Sequence, residues 1–148
     1  MRRTALLSLL CLPASAAQLP LERPALCALA DVVVWGVVRD TETLWAAGSA
    51  GGIERRAFVE TRRVLRGDAP PPFEVVLPGG QIGAMVERVE DVPDLRVGAE
   101  YLLLLARTPG GLQVIGGDAG AIRIAPGDFG QGEPIADALA SLGACRAP

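Results

Sequence analysis

The sequence predicts an all-β domain with short flanking helices: a small closed barrel of five to six antiparallel strands, one helix before it and one after it. Three observations carry that expectation. Asp31 to Arg39 is a run of β-branched residues with Trp35 and Gly36 at its centre, and Tyr101 to Ala106 is a second continuous apolar run; strands covered on both faces read this way. Phe73 to Leu77 alternates as a strand with one wet face does. Turn clusters separate such segments: Pro78-Gly79-Gly80, Thr108-Pro109-Gly110-Gly111 and Gly116-Gly117-Asp118-Ala119-Gly120. The 148 residues suit one domain, residues 18–148, once a leader is removed.

Residues 1–17 read as an export signal. Arg2 and Arg3 supply the charged start, Ala5 to Leu12 the apolar segment, and Ala14-Ser15-Ala16 or Ser15-Ala16-Ala17 the cleavage site. The apolar segment is far short of the roughly 20 residues that span a bilayer, so no membrane span is expected. Leu21 to Ala30 forms a short helix, with Pro24 suited to a first helical position and Leu26 and Leu29 three apart on one face, placing Ala28-Leu29-Ala30 beneath the sheet. The first strand, Val32 to about Leu44, turns polar after Val38, and Gly36 marks a bulge or bend where a barrel corner turns. Trp45 to Gly52 is a glycine-rich hairpin tip.

Ile53 to Arg66 is the second long strand, with Ile53, Ala57, Val59 and Thr61 on one face and Val64-Leu65 out of phase beyond a bulge. Pro70 to Pro72 stiffen the next loop. Phe73 to Leu77 is the third strand, and Gln81 to Gly98 reads as a strand fragment followed by a loop. Tyr101 to Ala106, Leu112 to Ile115 and Ala121 to Ile124 make a terminal meander. Pro134 opens a closing helix whose Ile135, Leu139 and Leu142 recur at i, i+4 and i+7, and Gly143 ends it.

Composition narrows the chemistry. There is no histidine, so no Ser-His-Asp or Cys-His arrangement and no imidazole metal ligand can form. All 14 basic residues are arginines; loss of Arg2 and Arg3 with the leader, against 17 acids, takes the formal net charge from −3 to −5. An acidic chain repels phosphate backbones and anionic lipid, and no nucleic-acid partner is expected. The dense basic stretch, Arg55, Arg56, Arg62, Arg63 and Arg66, is interleaved with Glu54 and Glu60 and reads as a solvated strand face. Export also removes Cys11, leaving Cys27 and Cys145, which either form one intramolecular bridge or stay as two buried thiols.

The order of elements, together with Cys27-Ala28-Leu29-Ala30-Asp31-Val32-Val33-Val34, Val64-Leu65-Arg66-Gly67, Val97-Gly98-Ala99-Glu100-Tyr101-Leu102 and Cys145, resembles the netrin-like domain. That domain is a Greek-key barrel of the oligonucleotide/oligosaccharide-binding (OB) type, also found in tissue inhibitors of metalloproteinases and in small exported bacterial proteins. The resemblance implies an OB-like barrel and a disulfide between Cys27 and Cys145. It does not extend to metalloproteinase inhibition, because the mature chain begins near Gln18-Leu19-Pro20 and lacks the Cys-x-Cys start whose terminal amine and first carbonyl chelate zinc.

Candidate site residues are few. Trp45 beside the glycine-rich tip is a candidate partner contact, set against packing on the barrel rim. Glu87, Glu90, Asp91 and Asp94 follow no cation-loop spacing and read as solvated charge. Gly116-Gly117-Asp118 occurs once, where calcium-binding repeats must stack, and Ser49 has no histidine to activate it. No catalytic, metal or cofactor-binding residues are assigned. The expected function is a non-catalytic binding module, secreted or periplasmic and monomeric, acting on another exported protein or envelope component. The alternative is a small carboxylate-based hydrolase or metal-dependent enzyme, which would need two carboxylates converging in a cleft.

Overall fold

A computed structural model of the chain describes residues 21–48, 51–69, 71–125 and 132–143. The export signal, Ser49 and Cys145 lie outside the described residues. The order is α1 (Arg23–Leu29), β1 (Val32–Trp45), β2 (Ile53–Arg66), β3 (Phe73–Pro78), β4 (Gly80–Ile82), β5 (Met85–Glu87), β6 (Glu100–Thr108), β7 (Gly111–Val114), a 3-10 turn (Gly117–Gly120), β8 (Ala121–Ile124) and α2 (Ile135–Ser141). Over the described residues the protein is mainly β with two α-helices, and neither of these is long and apolar enough to cross a membrane.

Six strands form one sheet in the order β1-β2-β3-β7-β6-β8, and a further pairing of β1 with β6 joins five of them in a ring. β6 makes the ring possible. One edge pairs with β1 from Val32↔Leu105 to Val37↔Glu100, while the other is divided between β8 at Glu100 to Leu103 and β7 at Leu105 to Thr108. The pairings are antiparallel except β3 with β7, which is parallel and touches at Val75↔Leu112. That parallel contact departs from the all-antiparallel expectation: β7 follows β6 through a tight turn, so its direction is fixed before it meets β3.

Both apolar runs are buried on two faces. Val32, Val34 and Val38 join Val59, Val75, Leu77, Leu103 and Leu105 in one cluster among the ring strands. Val33, Leu102 and Leu104 face the other way, into a cluster with Ile122, Leu26 and Cys27 of α1, Ala138 of α2 and Leu142 just after it. Strand alternation thus sends successive residues of β1 and β6 into different cores, and each fully buried Val or Leu stabilises by about 1.5–3 kcal/mol.

Gly36 sits at a register shift, as a bend-forming glycine should. A Cβ there would lie 2.6 Å from Val59 Cγ1 and 2.8 Å from the Glu60 carbonyl oxygen, so its bareness lets β2 close on β1. The pairing Gly36↔Thr61 then Trp35↔Arg63 leaves Arg62 as an extra residue on β2, the bulge that puts Val64-Leu65 out of phase.

Three further expectations need correction. Leu29 is 64% exposed and Ala28 is exposed, because the inward arc of α1 is set by Leu26, Cys27 and Ala30, which turns Leu29 out. Trp45 ends β1 opposite Ile53 rather than opening the loop. The segment after β3 is a complete two-stranded hairpin, Gly80↔Glu87 to Ile82↔Met85, followed by loop.

Candidate functional site

Among the described residues, a groove of ≈ 540 Å³ lies between the β4–β5 hairpin and the outer end of the β1–β2 pair. Glycines place the hairpin there. Gly79, at φ +83, donates its N–H to the Ile53 carbonyl at 2.7 Å and turns the chain off β3. A Cβ on Gly80 would approach Thr43, Arg55 and Ile53 side chains to 3.0–3.1 Å, so β4 lies close over that face. Glu87 at the other end of the hairpin accepts a hydrogen bond from the Ile53 N–H at 2.5 Å and fastens β5 down.

Thr43 and Arg55 line the groove from below, and Gln81, Val86, Arg88 and Val89 from the hairpin side. Arg55 Nη1 reaches Asp94 Oδ1 at 3.4 Å, while its Nε is buried without a hydrogen-bond partner among the described residues. Around this end lie exposed apolar side chains: Met85, Val86 and Val89 of the hairpin and its exit, and Trp45, which is 52% exposed. Trp45 pairs with Ile53 as Thr43 pairs with Arg55, so all four share the face over which β4 folds.

A smaller hollow of ≈ 230 Å³ is lined by Asp94, Arg96, Tyr101, Asp118 and Arg123, among others. Its wall is knitted by the Tyr101 hydroxyl, which accepts from the Arg96 N–H at 3.1 Å and donates to the Asp94 carbonyl at 3.2 Å.

The other sequence candidates separate. Glu87 is bound to backbone and Asp94 to Arg55 and Arg96, and no group of three or more His, Cys, Asp or Glu side chains is placed to hold a metal ion among the described residues. Gly116 and Gly117 serve packing: a Cβ on the first would meet Leu26 at 2.7 Å, and on the second the Asp91 carbonyl at 2.8 Å. Trp35 is half-buried against the helix-facing core, its Nε1 donating to Glu100 Oε2 at 3.0 Å.

The arginine stretch is largely paired. Arg56 lies 2.8 Å from Glu54 and 3.3 Å from Glu74, Arg62 is near Glu60 and Glu100, and Arg66 donates to the Cys27 carbonyl at 2.9 Å. The hydrogen bond from Arg39 holds the Glu60 carboxyl below its ordinary value, assisted by the charges of Arg39 and Arg62.

The role of Arg55, Arg88 and the hairpin in forming a groove is absent from the sequence reading. The available signal was Pro78-Gly79-Gly80 ahead of a short segment with a second glycine at Gly83: two turns in quick succession fold a hairpin back. Compared with known proteins, the chain matches no protein-family model and no curated protein.

Proposed function

We propose that the chain is an exported, non-catalytic interaction module on an OB-like barrel of the netrin-like type, contacting another exported protein or an envelope component. The observation that carries this is the groove end, where Met85, Val86 and Val89 of the hairpin and its exit are exposed and Trp45 is exposed on the β1–β2 face over which β4 folds. Exposed aromatic and aliphatic side chains beside a groove are what a partner buries. The five-strand ring, with α1 and α2 packed on one core, supports the barrel type.

The same proposal includes a bridge between Cys27 and Cys145. Cys27 is fully buried within α1. The two helices carrying the chain toward these cysteines are adjacent: Arg23 Nη1 donates to Ser141 Oγ at 3.1 Å, Arg23 pairs with Glu133 at 2.5 Å, and a Cβ on Gly143 would lie 3.9 Å from Pro24. Closing a loop on the order of 120 residues would stabilise by roughly 5 kcal/mol in the chain-entropy model. Intact mass should rise by two hydrogens on reduction, and an unchanged mass would exclude the bridge.

The decisive experiment is capture from the native periplasmic or extracellular fraction on immobilised chain, with Trp45→Ala as comparison. A partner retained by the native chain and lost with the variant is expected. Equal retention by both would remove Trp45 from the contact, and no retention would overturn the module.

A further inference from the structure

We propose that the groove beneath the β4–β5 hairpin docks an extended partner segment carrying a carboxylate flanked by aliphatic side chains. This rests on the interaction-module reading and names the chemistry of its ligand. On a chain of net charge −3, the groove gathers two guanidinium groups, Arg55 and Arg88, against one lining carboxylate. That carboxylate, Glu87, is turned to the Ile53 N–H. Arg88 has no ion pair among the described residues, and Arg55 has only Asp94, at 3.4 Å and with a side chain 67% exposed. Its buried Nε has no hydrogen-bond partner either, so its surroundings leave the guanidinium head short of acceptors. A planar guanidinium matches a carboxylate with two parallel hydrogen bonds, an arrangement that Asp94 at this distance does not supply.

The walls select the remainder of the ligand. Val86 and Val89 line the groove while largely exposed, so aliphatic neighbours of the carboxylate would bury against them; a small free anion would leave them wet. Beside the groove, β1 pairs with β6 only as far as Val37, and from Asp40 to Trp45 it is strand-paired with β2 alone, which leaves its other edge open. An open edge accepts extended backbone.

The test is selection of a displayed random heptapeptide library on the purified chain. Enriched peptides should carry Asp or Glu next to Val, Leu or Ile. Binding of an enriched peptide should fall at least tenfold when its acid is changed to the amide, and likewise with Arg88→Gln or Arg55→Gln; Asp94→Asn, which removes the internal competitor, should strengthen it. Arg88 is exposed, so that variant keeps the test valid if Arg55→Gln fails to fold. No enrichment, enrichment without acids, or native affinity in Arg88→Gln would overturn docking, as would a dimer of the native chain that Arg88→Gln dissociates, since that assigns the groove to a second copy. If the native-fraction partner is held equally by Arg88→Gln, the groove fails while the module stands; if the native chain holds no partner, the module itself fails.

Discussion

Trp35 and Glu100 are joined across the closure of the ring: the indole Nε1 donates to Glu100 Oε2 at 3.0 Å, between strands paired as Trp35↔Leu102 and Val37↔Glu100. They are diagonal neighbours, within reach of an indole. Trp35→Phe keeps most of the packing and removes the donor, and should lower stability by about 0.5–1.5 kcal/mol in urea unfolding. In a cycle with Glu100→Ala, which removes the acceptor, the two losses should be non-additive; strict additivity would show that the bond contributes nothing.

Gly36→Ala should destabilise by about 1–3 kcal/mol through overpacking, because the new methyl meets Val59 and the Glu60 carbonyl. Gly110→Ala supplies the contrast. Its nearest neighbour would be Thr108 Oγ1 at 3.8 Å, and its unfolding midpoint should stay within about 0.5 kcal/mol of the native protein.

Leu103→Ala should cost about 2–5 kcal/mol, since Leu103 is wholly buried among the ring strands and its removal leaves a cavity. Leu29→Ala should change stability by less than about 0.5 kcal/mol because that side chain faces solvent. Thermal or urea unfolding of the pair separates a core leucine from a surface one of the same type.

These two leucines also show how much of the fold was legible in the sequence. Short continuous apolar runs bounded by turn residues fit strands covered on both faces, so β1 and β6 were readable from run length, flanking glycines and, in β1, β-branched content. Leu29 was misplaced because a seven-residue helix offers too few positions to fix its inward arc, and buried Cys27 fixed it instead. The parallel contact Val75↔Leu112 depends on where a late strand lands, a tertiary fact with no local pattern. Trp45 could be singled out by composition, whereas the groove near it could not, because Arg55 and Arg88 are remote in sequence and meet only when two glycine turns fold the hairpin over β2.

Glu60 gives the pH dependence. Its carboxyl is held below the ordinary range by the hydrogen bond from Arg39 at 2.7 Å. A carboxylate depressed in the folded state contributes stability above its unfolded pKa, and that contribution disappears as pH falls through the folded value. The urea midpoint of Glu60→Gln should therefore lie slightly below that of the native protein at neutral pH and converge with it in acid. The gap should also shrink with added salt, because the pair is exposed. A gap that persists unchanged into acid would place its cause outside this ion pair.

The pairing of β1 with β6 has a consequence for the order in which the chain can fold. β1 is made early and is apolar on both faces, yet one of its edges and much of its cover wait for Glu100–Thr108. Until that strand emerges, the β1–β2 hairpin has formed only its local contacts, and the loop that must close is long. A chain ending before Glu100 lacks the strand that closes the ring, so the two apolar faces of β1 are covered together only once the sixth strand is present.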